Sequence, residues 1–98
     1  MIEIFETDEF TKWLRKLKDV QAKMRINIRM GRIASTGLLG DVKFIDEGVS
    51  ELKIDYGPGY RIYFAYRGDR VLLLLIGGDK STQARDIDKA KRLNREYE

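Results

Sequence analysis

At 98 residues, with 43% apolar and 36% charged residues and one proline, the chain has the length of a single domain, residues 1–98, and too little disorder-type composition for a long linker. It has no cysteine and no histidine, which excludes disulfides and the usual zinc sites and leaves any proton chemistry to Lys, Arg, Tyr, Asp or Glu. The net charge of +3 is unevenly spread: Lys12, Arg15, Lys16, Lys18, Lys23, Arg25, Arg29 and Arg32 share one stretch with a single acid, Asp19. That block is either a solvated helix face or a surface for an anionic partner such as nucleic acid or an acidic protein. No apolar run approaches the roughly 20 residues of a membrane span, and Met1-Ile2-Glu3-Ile4 does not begin like a signal peptide, so a cytoplasmic protein without membrane association is expected.

A short first strand around Ile2 and Ile4 should end where Thr7 or Asp8 can cap a helix. Phe10, Trp13, Leu14 and Leu17 follow at i, i+3, i+4, i+7, one helical stripe on which Trp13 is a core anchor. A second helix is expected from about Val20 to Ala34, with Ala22, Ile26, Met30 and Ile33 facing inward, Val20, Met24 and Ile28 widening the apolar face, and Met24 and Met30 filling core space. Gly37 and Gly40 mark the loop that ends it.

From Asp41 the period changes to two, with Val42 and Phe44 alternating with Lys43, and a turn at Glu47-Gly48. In the next strand Ser50, Leu52, Ile54 and Tyr56 share one face, while Glu51, Lys53 and Asp55 share the other. A three-residue loop at Gly57-Pro58-Gly59 pairs Tyr56 with Tyr60, Ile54 with Ile62 and Leu52 with Phe64 on the side of the helices. The same register sets Asp55 opposite Arg61 and Lys53 opposite Tyr63 on an exposed polar side. Gly68-Asp69 suits a second tight turn. Val71 to Ile76 is then an apolar run expected to form the central strand, buried on both faces or with part of its far face shielded by neighbouring chain. Gly77-Gly78-Asp79 breaks it and is strand-to-helix geometry rather than a nucleotide loop, since no GxGxxG or P-loop pattern surrounds it. Asp79 or Ser81 can cap a last helix whose inner stripe is Ala84, Ile87, Ala90 and Leu93. The order is βααββββα, an α+β fold with two N-terminal helices and one C-terminal helix packed with a mostly antiparallel sheet.

GVSELKIDYGPGYRIYF, followed after the apolar strand by LIGGDKSTQARDIDKA, resembles the RelE/HigB superfamily of toxins from type II toxin–antitoxin modules, in its phage-type addiction-module killer branch. The resemblance covers nearly the whole chain. It implies a RelE-like fold and a toxin that cuts mRNA, typically on the ribosome, without a metal or small-molecule cofactor. It also implies a cognate antitoxin, often of helix-turn-helix type, as partner. Carried over by position, Lys53 stands where the family has a basic residue before the hairpin, Arg61 matches the arginine just after it, and Lys80 matches the basic residue beyond the apolar strand. Glu51 stands where some relatives carry a second lysine. No tyrosine lies in the first turns of the last helix, where Asp86 comes nearest in position.

Metal-free RNA cleavage requires a base for the 2′-hydroxyl, stabilisation of charge on the phosphoryl oxygens and an acid for the 5′-oxygen. The candidate catalytic set is Arg61, whose planar guanidinium suits a phosphate, with Lys53 or Glu51 as base and Lys80 as phosphate ligand or acid. Tyr63, Lys43, Arg67 and Asp86 are candidate RNA contacts, Tyr63 by stacking on a base. The plain alternative for all of them is an ordinary solvated sheet face with cross-strand charge pairs. Two further functions stay open within the same superfamily: a ParE-like toxin acting on DNA gyrase, or an inactive RNA- or protein-binding module.

Overall fold

The computed structural model describes residues 1–97. Its elements are β1 (Glu3–Glu6), α1 (Asp8–Lys16), α2 (Val20–Thr36), β2 (Val42–Asp46), β3 (Val49–Ile54), β4 (Tyr60–Gly68), β5 (Val71–Gly78), a 3-10 turn (Lys80–Thr82) and α3 (Gln83–Glu96). That is the expected order βααββββα in an α+β fold. The five strands form one sheet in the order β1-β5-β4-β3-β2, with β1 parallel to β5 and every other pair antiparallel. The middle strand is therefore β4, not the apolar β5, because β1 adds only one strand beyond β5 while β3 and β2 add two beyond β4. No described helix is long and apolar enough to cross a membrane.

Helices α1 and α2 cover one face of the sheet and α3 covers the other. On the first face Phe10, Ala22, Ile26 and Ile33 meet Leu52, Ile54, Tyr60, Ile62, Phe64, Leu72 and Leu74, with Trp13 packed against Phe10 and Tyr60. On the second, Val49, Tyr63, Ala65, Leu73, Leu75 and Ile76 meet Ala90 and Leu93. The polar side expected to be exposed is thus partly roofed by α3. The inner stripe of α3 is Asp86, Ala90 and Leu93 with Ile87 beside it, and Ala84 is exposed. On α2 the stripe Ala22, Ile26, Met30, Ile33 packs inward as expected. Val20, Met24 and Ile28 lie round the opposite side and are exposed, so Met24 fills no core space.

Local chemistry places the helices. Thr7 is fully buried; its hydroxyl accepts from the Phe10 amide to cap α1 and donates to the Leu75 carbonyl at 2.7 Å, fastening the helix start to β5. Asp19 caps α2 through the Ala22 amide, and Gly37 closes it in the left-handed conformation.

Two register features differ from the sequence reading. Ile54 pairs with Tyr60, Lys53 with Arg61, Leu52 with Ile62 and Glu51 with Tyr63. The connection is five residues, Asp55 to Gly59, because Tyr56 leaves the ladder and accepts from the Gly59 amide in a turn that includes Gly57 and Gly59 at positive φ. Lengthening the loop by two preserves parity, so the faces are as expected while every partner is shifted. In β5, Phe64 pairs with Leu74 but Tyr63 pairs with Ile76, making Leu75 the extra residue of a bulge.

The bulge turns Gly77 toward α1 and Gly78 toward α3, and β5 continues through both. A Cβ on Gly77 would fall inside the ring of Trp13, and one on Gly78 inside the carboxyl of Asp86. Gly77→Ala should therefore destabilise by about 2–3 kcal/mol through overpacking. In chemical denaturation Gly77→Ala should cost much less in a Trp13→Leu background than in the parent, because the ring is the obstacle.

Candidate functional site

The side of the sheet under the start of α3 carries two cross-strand rows. One is Lys43 on β2, Glu51 on β3, Tyr63 on β4 and Ile76 on β5; the other is Lys53, Arg61 and Gly78. Lys53 and Arg61 are thus direct neighbours of like charge, and Glu51 lies on the diagonal from Arg61, where long side chains reach one another. The Arg61 Nε is 3.8 Å from Glu51 Oε2, and its Nη1 donates to the Gly59 carbonyl at 2.7 Å. Gln83, on the first turn of α3, donates to the same Glu51 oxygen at 3.0 Å. The expected Asp55–Arg61 and Lys53–Tyr63 pairings do not occur.

Burial separates these groups. Lys43, Lys53 and Lys80 are exposed, whereas Arg61 is only 8% exposed and Glu51 is buried beside it. Tyr63 is completely buried, so the expected stacking of a base on its ring is corrected: α3 covers it. Burial first, and the negative charge of Glu51 second, push the Tyr63 phenol well above its ordinary value, so its hydroxyl stays protonated and acts as a donor. Neither Tyr63 Oη nor Arg61 Nε has a hydrogen-bond partner among the described residues. Both donors lie on β4 beside the Glu51 carboxylate, which is the acceptor nearest to each: it is 3.8 Å from Arg61 Nε and its hydrogen bonding contributes to raising the Tyr63 phenol.

Asp86 is buried and accepts from Thr82 Oγ1 at 2.5 Å, with the exposed Arg85 guanidinium 3.7 Å away. Its carboxyl is therefore engaged within the first turn of α3 and packed on Gly78. Asp79 caps the 3-10 turn by accepting from both the amide and the hydroxyl of Ser81. Those two bonds hold its carboxyl below the ordinary range, with the positive charge of Arg61 a smaller contribution. Lys80 stands at the start of that turn, two residues after Gly78, the register partner of Arg61. Arg67 lies at the other end of β4, roughly 20 Å along the strand from Arg61, where its Nη2 donates to the Asn94 side chain and carbonyl. The fold therefore gathers Lys43, Glu51, Lys53, Arg61 and Tyr63, sets Lys80 and Asp86 beside them by chain position, and leaves Arg67 apart. Gln83 and Thr82 were not singled out from sequence; the Thr-x-x-x-Asp spacing of Thr82 and Asp86, one helical turn, was the available signal for the latter.

Beside these rows an open groove of about 670 Å³ runs between α1, α3 and the end of β5, with Gly77 and Gly78 along it and Lys12, Lys16, Arg85 and Lys89 on its sides. The family described as "Phage derived protein Gp49-like (DUF891)" matches residues 12–95, which include every member of both rows. The chain belongs to this family. It is 46% identical over 95 residues to an uncharacterized protein of Haemophilus influenzae, covering 97% of this chain and 95% of that one. Among solved structures it is similar to a mutant of the E. coli toxin RelE in the free state, with a TM-score of 0.70 at 14% identity over 93% of this chain and 96% of that one. It is also similar to a chain of the intact E. coli RelBE toxin–antitoxin complex, with a TM-score of 0.65 at 14% identity over 81% of this chain and 96% of that one. The fold of this Gp49-like chain is thus RelE-like, and the two rows sit on the α3-covered face of that fold.

The turn that presents Lys80 has a pH signature. Asp79→Ala should cost about 0.5–1 kcal/mol near neutral pH, the usual worth of an N-cap. Because the folded-state carboxyl titrates below the unfolded one, this stabilisation is present above the ordinary value near ~3.9 and lost as the pH falls through the lower folded value. Denaturation midpoints of the two proteins should therefore converge in acid.

Proposed function

We propose that residues 1–98 act as one domain that is the toxin of a type II toxin–antitoxin module, cutting mRNA on the ribosome without a metal. Membership of a phage-derived family and the likeness of its fold to the RelE toxin support the toxin reading. The observation that carries the chemical part is the pair of buried donors without a bonded acceptor, Arg61 Nε and Tyr63 Oη, both on β4 beside Glu51 and in the cross-strand rows that hold the exposed Lys53 and Lys43. A phosphate reaching this face meets lysines at the surface and a guanidinium with an unused donor behind them. Arg61 is the group for the phosphoryl oxygens, and Tyr63 supplies a neutral hydrogen bond. When Arg61 turns from Glu51 to phosphate, the carboxylate is released to act as base for the 2′-hydroxyl, with Lys53 beside it as the other candidate. Lys80 is the acid or phosphate ligand at the leaving 5′-oxygen, and Lys43 a backbone contact. The partner is a cognate antitoxin of helix-turn-helix type; the RelE neighbour is known in a toxin–antitoxin complex.

The burial of Arg61, and its bonds to Gly59 and Glu51, favour a second reading in which the chain binds RNA or protein without cutting. The two readings part on substitution. On the first, Arg61→Lys abolishes growth arrest and lowers translation-dependent mRNA cleavage by about 10²-fold, the cost of losing one oxyanion donor, while the thermal melt stays cooperative. Cleavage by Arg61→Lys at the parental rate would sink it, and wild-type protein that arrests growth without cutting mRNA would favour the second. Tyr63→Phe sharpens the test. Removing an unsatisfied buried hydroxyl should leave stability unchanged or raise it by about 1 kcal/mol, so a fall in cleavage would report a role in the reaction and not in folding.

A further inference from the structure

The first turn of α3 carries a side chain to which the reaction outlined above gives no task. Gln83 lies 32 positions after Glu51 in the chain, yet its Nε2 donates to Glu51 Oε2 at 3.0 Å in a half-buried setting. Among the described residues it is the one side-chain hydrogen bond between α3 and the two cross-strand rows. The contact fixes which way the amide points, because turning it over would set its carbonyl against a carboxylate.

The helix does not need this bond to stay in place. Asp86 packs on Gly78 and accepts from Thr82, Ala90 and Leu93 are buried in the core beneath, and Lys91, Asn94 and Arg95 reach the β2–β3 turn. Other contacts thus fasten α3 along its length. What the Gln83 amide adds is local, the fixing of one oxygen of one carboxylate. The Arg61 Nε lies 3.8 Å from that same Oε2, so both neighbours address one oxygen and leave Oε1 as the one that can accept a proton. Glu51 is buried but not sealed, since 8% of its side-chain surface reaches solvent.

A carboxylate that takes a proton from a 2′-hydroxyl must present a lone pair within hydrogen-bond reach of it, and a flexible side chain left to itself does so only part of the time. In the arrangement seen here the Arg61 guanidinium helps to hold Glu51. Once that guanidinium turns to a phosphate, the Gln83 amide is the holder that remains. Being neutral, it keeps the carboxylate in place without adding a positive charge that would weaken its pull on a proton. We infer that Gln83 is the positioning residue that holds Glu51 for proton transfer. It touches neither the 2′-hydroxyl nor the phosphate and acts through Glu51 alone. The assignment rests on the nuclease reading with Glu51 as its base.

The test follows single-turnover cleavage of mRNA on translating ribosomes by the intact chain, reading the rate at saturating protein and the half-saturating concentration separately. Gln83→Met, which keeps the unbranched stem and loses the donor, should lower the saturating rate by about tenfold, the equivalent of one hydrogen bond to a charged group. The half-saturating concentration should not move. Gln83→Ala should behave alike, and circular dichroism melts of both variants check that the fold persists. Glu51→Gln alone should slow cleavage by about 10²-fold or more. The double substitution decides: in the Glu51→Gln background Gln83→Met should cost nothing further, because it acts only through the carboxylate. A helix loosened by losing Gln83 would instead slow cleavage in both backgrounds. Such additive loss, parental rates in both Gln83 variants, or a change confined to the half-saturating concentration would overturn the inference and leave the nuclease reading standing. Cleavage by Glu51→Gln at the parental rate would remove Glu51 as base and the inference with it, and wild-type protein that cuts no mRNA would remove both.

Discussion

The approach of two helices to the last two residues of β5 is the constraint on which the rest of the structure depends. The Trp13 ring lies against Gly77 on one face and the Asp86 carboxyl against Gly78 on the other, each where a Cβ would have to be. Such closeness requires residues without side chains, and it requires that successive residues face opposite helices. The Leu75 bulge sets which helix each of them faces, and the Thr7 hydroxyl, bonded to the Leu75 carbonyl, ties the start of α1 to that point. The spacing between α1, the sheet and α3 is therefore set at one place. Because Arg61 pairs with Gly78 and Tyr60 touches Trp13, the candidate site inherits its geometry from the same place.

Its electrostatics follow from being roofed. On an open sheet face Glu51, Arg61 and Tyr63 would be solvated groups of small consequence. Under the first turn of α3 they become a buried carboxylate, a guanidinium with an unused donor and a phenol kept protonated, with Gln83 holding one carboxylate oxygen. Removing charges from water is costly unless their bonds are complete, and here they are not. The exposed Lys43 and Lys53 lie on the same rows. The opposite face has the reverse character: the outer side of α2 presents solvated cations beside uncovered aliphatic side chains.

Parity through the Gly57-Pro58-Gly59 hairpin assigned Leu52, Ile54, Ile62 and Phe64 to the helix side and Lys53, Arg61 and Tyr63 to the other, and those sides are correct. The partners were shifted because a loop of three residues and one of five are equivalent in parity. Val20, Met24 and Ile28 are as apolar as the inner stripe of α2, yet an apolar stripe carries no label saying whether anything covers it. Tyr63 failed in the opposite sense, since alternation with charged neighbours suggests solvent and cannot show that α3 lies above it.

The sequence by itself determined the order of elements, the boundaries of most of them, the inward stripes of α1 and α2 and the family to which the chain belongs. These are properties of local period, capping and motif, expressed within a few residues of one another. Tertiary structure alone decided the five-residue hairpin connection, the bulge at Leu75, the roofing of Tyr63 by α3, the burial of Arg61, and the separation of Arg67 from the other candidates. Those depend on summed contacts between segments distant in the chain. In β5 the continuous run from Val71 to Ile76 is equally apolar in either register, so only packing against Trp13 and Asp86 selects which side of the strand each glycine presents.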